Sequence, residues 1–510
     1  MLAMLLAALD QTIVGTAEPR IIAQLAGFDR YPWVATVYLL TSTLTVPIFA
    51  RFSDMYGRKP FFMLSATLFV VASALCGAAG TLPLPLDGMN QLIVFRGLQG
   101  IGAGGVMGLI FTIVGDIFSP QERGKYQGLF SGVWGISAVF GPTLGGFLTD
   151  QVSWRACFYV NLPVGIIALA AMHFEFPNMK GRGTGRRVDW LGIGALIACI
   201  GPLLVGLTLA TNLGWRDPRV SGLFAVAAAM LFVFLFVETR AEEPLIPLSL
   251  FKNPVIALCS VCVLVVGIGM FGVIIYLPLF MQGVLGVTAT RSGGLMMPLM
   301  MGTVFGTAIS GQIMSRLGRY KHLALVGSTL MATGMIIFAR MSPTTPRTLI
   351  VIGMIVCGTG LGLLLPVYTV AVQNAAPRNL MGAATASTIF FRSIGSTVGV
   401  AVFGTVMLMN YHQDFGRGIP ASAPANTLEL FSNPLLLRQM RPQLDAAFAQ
   451  PGGAAQLETL LRAVPQALNH GLHLVFEASA ILMVLAVFLH TAMRNVPLRG
   501  HTPEPEMPSH

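Results

Sequence analysis

The chain has 510 residues, of which 54% are apolar and only 10% charged, with 31 Lys and Arg against 21 Asp and Glu for a formal net charge of +10. Apolar runs of roughly 20 residues recur along its whole length, enough for a helix to cross hydrocarbon, so a soluble enzyme or soluble binding module is excluded. The positive excess is spread over short loops rather than gathered on a soluble domain, which argues against a nucleic-acid partner.

Helices are predicted throughout, because alternating segments of ~10 residues suited to a barrel are absent. Fourteen spans are expected, near 4–25, 33–53, 61–80, 91–115, 124–149, 156–175, 189–211, 220–238, 255–282, 289–315, 321–340, 347–372, 381–409 and 471–493. The first run carries Asp10 and lacks a basic leader and a small-residue cleavage site, so it reads as a span and not as a signal peptide. It begins almost at residue 1, and a short preceding tail is expected. Arg51, Arg58, Lys59, Arg123, Lys125, Arg186, Arg187, Arg316, Arg319, Lys321 and Arg494 fall on one side of this arrangement, which predicts that both termini are cytoplasmic. All six cysteines lie in apolar runs; Cys259 and Cys262 lack the second pair or histidine that a metal site needs.

An internal repeat organises the chain. "ARFSDMYGRK" (50–59) and "GQIMSRLGRY" (311–320) both follow a span, and Gly57 and Arg58 match Gly318 and Arg319 at an offset of 261. An offset of 258 then aligns Gly100, Gly102 and Gly104 with Gly358, Gly360 and Gly362, and Gly124, Gly141 and Gly146 with Gly382, Gly399 and Gly404. Two parallel six-helix bundles are the expected all-α membrane architecture, with substrate bound between them. The expected units are a first bundle over 1–176, a linker over 177–252 with two extra helices, and five helices of the second bundle over 253–410. A loop over 411–470 with short amphipathic helices, the last helix over 471–494 and a tail over 495–510 complete the chain.

These stretches resemble motifs of the major facilitator superfamily, specifically its 14-helix drug:proton antiporter branch. "ARFSDMYGRK" is similar to the cytoplasmic gate motif, with Asp54, Gly57, Arg58 and Lys59 in place and Ala50 where the family has glycine. "FRGLQGIGAG" (95–104) resembles the motif that places Arg96 in the membrane. "GVWGISAVFGPTLGG" (132–146), with Gly132, Gly135, Gly141, Pro142, Gly145 and Gly146, resembles the antiporter signature. "LDQTIVGTAEPR" (9–20) is similar to the first-helix motif of this branch, except that Glu18 stands where relatives are usually apolar. The resemblance implies a bacterial inner-membrane exporter driven by the proton gradient without other cofactor. Expected partners are small amphipathic or cationic substrates, protons and membrane lipid; a periplasmic adaptor is compatible with it, and the expected state is a monomer.

The residues themselves support specific roles. Asp10 within a span is costly, and such carboxylates usually face a cavity and function. Burial disfavours its charged form, which suits a proton carrier, although a neutral Asp pinning helices is the plainer alternative. Arg96 keeps its charge and needs polar partners, of which Asp10 is the first candidate. Glu18, two turns further out, is expected near the outer mouth, where it attracts cationic substrates or pairs with Arg20; both it and Arg96 join Asp10 as candidate proton-coupling residues. The small face of the fifth span is expected to act as hinge and seal against the other half, with ordinary tight packing as the alternative. Asp54, Arg58 and Lys59 suit a charged latch at the inner turn or a merely topogenic role. A substrate pocket is expected from Tyr276, Gln282, Met297 and Met301, with Gln99 and Arg392, since Met and aromatic groups adapt to many apolar shapes.

No phosphate-binding G-x-x-x-x-G-K-[ST] occurs, so an ion gradient is expected to supply the work of export. An exporter of a lipid, siderophore or endogenous antibiotic is the alternative cargo reading. A membrane-embedded lipid-modifying enzyme is remote, because the eight histidines form no cluster in the sequence.

Overall fold

The computed structural model describes the chain except residues 26, 118–119, 176–188, 242–247, 378–379, short stretches of 420–452, 495 and 497–510. It also excludes the side chains at 47, 50, 51, 54, 55, 111–112, 114–117, 120–132, 208, 211–212, 315, 381–383 and 386. The first group of helices is α1 (Leu2–Gln24), α2 (Tyr31–Tyr56), α3 (Arg58–Gly77), α4 (Gly88–Ile117), α5 (Pro120–Gln151), the short α6 (Ala156–Tyr159) and α7 (Asn161–Glu175). Two helices follow, α8 (Trp190–Leu213) and α9 (Pro218–Arg240). The second group is α10 (Pro254–Leu279), α11 (Ala289–Leu317), α12 (Lys321–Ala339), α13 (Arg347–Ala375), α14 (Met381–Arg417), α15 (Arg441–Ala447) and α16 (Gly453–Thr491).

Eleven described segments are long and apolar enough to cross a membrane. Helices α1, α2 and α5, of 23, 26 and 32 residues, match them in length. Their polar atoms are turned inward: Asp10, Thr16, Glu18, Thr36 and Ser137 are all buried. Helix starts follow local chemistry, as where Asn253 Oδ1 accepts from Val255 N–H at 3.0 Å to cap α10 and Thr288 Oγ1 accepts from Arg291 N–H at 3.3 Å to cap α11.

The two groups are built alike. In the first, α1 packs on α5 and α7, α2 on α4, and α3 on α4 and α7; in the second, α10 packs on α14 and α16, α11 on α13, and α12 on α13 and α16. Exchanging the groups carries each pair onto its counterpart. The halves meet mainly along α2–α14 and α5–α11, and these two seams also exchange. Repeat-related glycines explain the close packing: a Cβ at Gly104 would run into Ser42 O of α2, and one at Gly362 into Thr303 O of α11. Without a hydrophobic reward between helices in lipid, such backbone approach carries much of the association.

The sharp turns after α2 and α11 need glycine, since Gly57 has φ 105° and Gly318 φ 61°. Beside each turn a lysine closes its own half: Lys59 Nζ donates to His173 O near the end of α7 (2.7 Å), and Lys321 Nζ to Thr491 O at the end of α16 (2.8 Å).

Helices α8 and α9 pair with each other, and α8 lies over the α2–α14 seam. Leu204, Leu207 and Ile200 of α8 cluster with Trp33, Leu40 and Leu44 of α2 and Ile394 and Ala401 of α14, and Thr405 Oγ1 donates to Leu207 O at 3.0 Å.

At the end opposite Met1, called the far end below, the structure differs from the expected loop of short helices. The amphipathic stretch after "PGG" is continuous with the last span as the 39-residue α16, and α14 runs on to Arg417. The extensions bury each other's apolar faces: Tyr411, Phe415, Phe431, Leu444, Phe448, Leu457, Leu460 and Val464 join the main core. An amphipathic helix with a protein surface beside it has no reason to stop at the membrane boundary. The extension also reaches the first half, through Phe28 and Tyr411 (ring centroids 5.6 Å apart) and Asp29 and His412 (3.3 Å).

Candidate functional site: a buried carboxylate network

Asp10 lies near the middle of α1, and no part of it reaches solvent. Three side chains donate to its carboxylate: Arg96 Nη1 to Oδ2 at 2.7 Å, Gln99 Nε2 to Oδ1 at 2.8 Å and Asn161 Nδ2 to Oδ1 at 2.9 Å. Arg96 and Gln99 are one turn apart on α4, so both point to the same spot on α1, and Asn161 is the first residue of α7. Arg96 Nη1 also donates to Gln99 Oε1 at 2.7 Å, and its guanidinium sits 4.0 Å above the Tyr38 ring of α2. Asn161 Nδ2 reaches Ser73 Oγ of α3 at 3.1 Å, and that hydroxyl donates to Phe158 O at 2.9 Å.

This is a fully buried ion pair in which both partners make further side-chain hydrogen bonds, which helps such a pair to be tolerated in low dielectric. All its members belong to the first half. If Asp10 took up a proton, Arg96 would keep Gln99 Oε1 and the Tyr38 ring as partners. A neutral Asp10 would leave the guanidinium those contacts but not its counter-charge.

The sequence pairing of Asp10 with Arg96 matches this geometry. Gln99, expected in the substrate pocket, instead holds Asp10, because its place one turn from Arg96 aims it at α1. Asn161, Ser73 and Tyr38 were not singled out; a lone Asn at the start of an apolar run was the available signal for the first of them.

Glu18 does not pair with Arg20. Arg20 Nη2 lies 3.7 Å from Asp150 Oδ1 of α5, and Asp150 Oδ2 accepts from Thr290 N (2.7 Å) and Thr290 Oγ1 (2.6 Å) of α11. Nor is Glu18 at an open mouth: it is 1% exposed, and neither carboxyl oxygen has a hydrogen-bond partner. The closed far end of the halves covers it.

The glycine-rich face of α5 serves two neighbours rather than one. Side chains at Gly141 and Gly145 would strike Thr12 and Ile13 O of α1 in the same half. Gly135 and Gly146 face Val304 and Ala289–Thr290 of α11 across the seam, and Gly293 of α11 abuts Pro142 O. The second half repeats the scheme: Gly399 meets Ile268 O of α10, and Gly404 meets Pro32 of α2 across the other seam. Gly132 and Asp54 lie outside the described side chains. Of the remaining latch residues, Gly57 forms the turn, Arg58 Nη1 donates to Ser53 Oγ at 2.6 Å and Lys59 bonds within its own half as above.

The expected pocket residues are not brought together. Tyr276 is buried with its hydroxyl donating to Val400 O within the second half at 2.7 Å, and Gln282 Nε2 donates to Thr16 O of the first half at 3.0 Å. Met297 is half-buried and Met301 exposed on α11, while Arg392 is half-buried on α14 with its carbonyl against Gly267. A closed far end spends on packing the groups that an open cleft would display.

Long apolar helices in two repeat-related bundles, with charge buried inside one of them, define a membrane transporter. A family model for the Major Facilitator Superfamily matches residues 1–400, and the chain belongs to that family. It is 36% identical over 491 residues to the multidrug transporter protein MdtP of Bacillus subtilis (strain 168), covering 96% of this chain and 84% of that protein. It is 34% identical over 492 residues to Multidrug resistance protein 3 of the same organism, covering 95% and 92%. Among solved structures it resembles a bacterial homolog of the human lysosomal transporter Spinster in an inward-facing, unoccupied conformation, with a TM-score of 0.60 at 18% identity over 96% of each chain.

Proposed function

We propose that this protein is a proton-coupled antiporter that exports amphipathic drugs or similar small apolar compounds by alternating access, through fourteen spans with both termini cytoplasmic. On this reading the far end faces outward and is closed in the structure. Two relatives named for multidrug transport over nearly the full chain support the cargo class.

The observation that carries the coupling is the buried Asp10–Arg96 pair with Gln99 and Asn161 around it. Ionisable groups within membrane helices are expensive to keep, and Arg96 would retain Gln99 Oε1 and the Tyr38 ring beside a neutral Asp10. Asp10 takes a proton from the outer side and yields it inward, and Arg96 favours the ionised form whenever the proton leaves. Each change of charge alters how the first half sits against the second, which biases the rocking of the halves. The two glycine-lined seams permit that motion, because backbone surfaces part without unlocking side chains.

The test is substrate-driven proton movement in proteoliposomes containing a trapped pH dye. An imposed gradient of an exported dye should drive protons the opposite way, and Asp10→Asn should abolish that flux. Dye movement with no proton counterflow would overturn the reading.

A further inference from the structure

Glu18 is the buried carboxyl group that this mechanism leaves unused. It is 1% exposed, and neither oxygen is hydrogen-bonded. Its helix packs on α10 and α11 of the other half, so it sits where the halves close on each other. The donors around it are already committed. The Tyr31 hydroxyl of α2 donates a hydrogen bond to Ile275 O of the other half at 3.2 Å, that of Tyr276 of α10 donates to Val400 O, and their rings stand 5.9 Å apart. Gln282 Nε2 donates to Thr16 O.

Among the described residues, those two tyrosines and Arg96 of α4 are titratable groups whose charge states bear on Glu18. Arg96 is already bonded to Asp10, and on Glu18's own helix Arg20 is directed to Asp150 of α5, which is bonded to Thr290 of α11. An ionised carboxylate would therefore be enclosed without a donor, which is far costlier than enclosing the neutral acid. A second occupant, such as an organic cation, has no room beside a side chain so closely covered.

We propose that Glu18 is a second proton-carrying group, and that the outer side of the transporter closes only over its neutral acid. In the outward-open state the carboxylate meets water and takes one proton from it; the added O–H bond removes the charge, and the seam through Tyr31, Tyr276 and Gln282 forms. Asp10 belongs wholly to the first half, whereas Glu18 sits against the second, so Glu18 ties protonation to the inter-half contact itself. This rests on the proton-coupled reading above and adds to it a residue that reads the outer pH.

The experiment measures the outer opening directly. Cysteines replace the exposed far-end residues Leu84 and Thr344, one in each half, and are spin-labelled in nanodiscs; the six native cysteines are all buried. Their distance distribution is followed from about pH 5 to about pH 9, which spans the titration of a buried carboxyl group. Wild type should pass from the short to the long distance as pH rises. Glu18→Gln and Glu18→Leu should stay short throughout, with a closed fraction at high pH about threefold or more above wild type. Glu18→Asp should restore the pH response, which a packing role would not do.

A wild-type pH response surviving in both Glu18→Gln and Glu18→Leu overturns the inference. Asp10→Asn separates it from the coupling mechanism, since that variant should keep the Glu18-dependent distance change. A Glu18-dependent response in a protein that moves no protons would overturn the antiport reading and Glu18 as a proton carrier, leaving only closure of the outer side over the neutral acid.

Discussion

Asp10 and Glu18 lie eight residues apart on α1 and are both buried, yet Asp10 accepts three hydrogen bonds and Glu18 none. The difference follows from their neighbours. Asp10 faces α4 and α7 of its own bundle, where Arg96, Gln99 and Asn161 converge, whereas Glu18 faces a surface completed only when the second bundle arrives. One helix thus carries a group bonded within its own half and a group enclosed between the two halves; on the proposed mechanism it is the second whose surroundings change.

Removing the Asp10 charge strands Arg96. Breaking one side of a buried pair costs about 3–5 kcal/mol, so Asp10→Leu should lower the thermal midpoint by several degrees, while Asp10→Asn, which keeps acceptor capacity, should lose less stability and all coupling. Differential scanning fluorimetry of both variants in the same detergent checks the order.

Arg96→Lys should fail in spite of its charge. A lysine keeps the charge but not the flat guanidinium, whose Nη1 donates to both Asp10 Oδ2 and Gln99 Oε1 while its plane stacks 4.0 Å over Tyr38. Losing a charge-assisted bond and a cation–π contact removes about 2–4 kcal/mol, and initial transport rates should fall by at least tenfold. A rate equal to wild type would mean that point charge alone suffices.

The seams should tolerate almost nothing larger than hydrogen. Gly146→Val and Gly404→Val place side chains against Ala289 O and Pro32, so each should hold the far end open and block the cycle, whereas Gly194→Ala and Gly201→Ala on α8 meet open space and should behave as wild type. Accessibility of a far-end cysteine to a membrane-impermeant maleimide reads the difference.

A smaller effect is expected at the far-end surface. Arg30 Nη2 donates to Asp87 Oδ2 at 2.7 Å and holds that carboxyl below its ordinary value. Its stabilising contribution is therefore present above the ordinary carboxylate range and fades as pH falls through the lowered value. Both groups are partly exposed, so Asp87→Asn should cost under about 1 kcal/mol near neutral pH. The gap from wild type should narrow as the pH is taken below the ordinary carboxylate range, as measured by thermal unfolding at neutral and at acid pH.

Much of this was legible in the sequence for physical reasons. Hydrocarbon demands long apolar helices, and charge is so costly there that Asp10 and Arg96 stand out and suggest each other. The repeat was legible because Gly57 and Gly318, or Gly104 and Gly362, are positions where backbone geometry admits only glycine. Asn161 and Ser73 were not, since a single polar residue at a helix start is ordinary until three dimensions bring it to Asp10. Gln99 was placed in the wrong site because spacing along α4 does not say which neighbour occupies that face. The continuity of α16 depends on a protein surface, the α14 extension, that no local pattern in 453–470 reveals.

The most direct test of the central claim is uptake of an exported fluorescent dye into inverted proteoliposomes under an imposed pH gradient, acidic inside. Wild type should accumulate dye only while the gradient lasts, and Asp10→Asn should bring it no higher than equilibrium. Accumulation by Asp10→Asn equal to wild type, or by wild type after an ionophore has collapsed the gradient, would contradict the account.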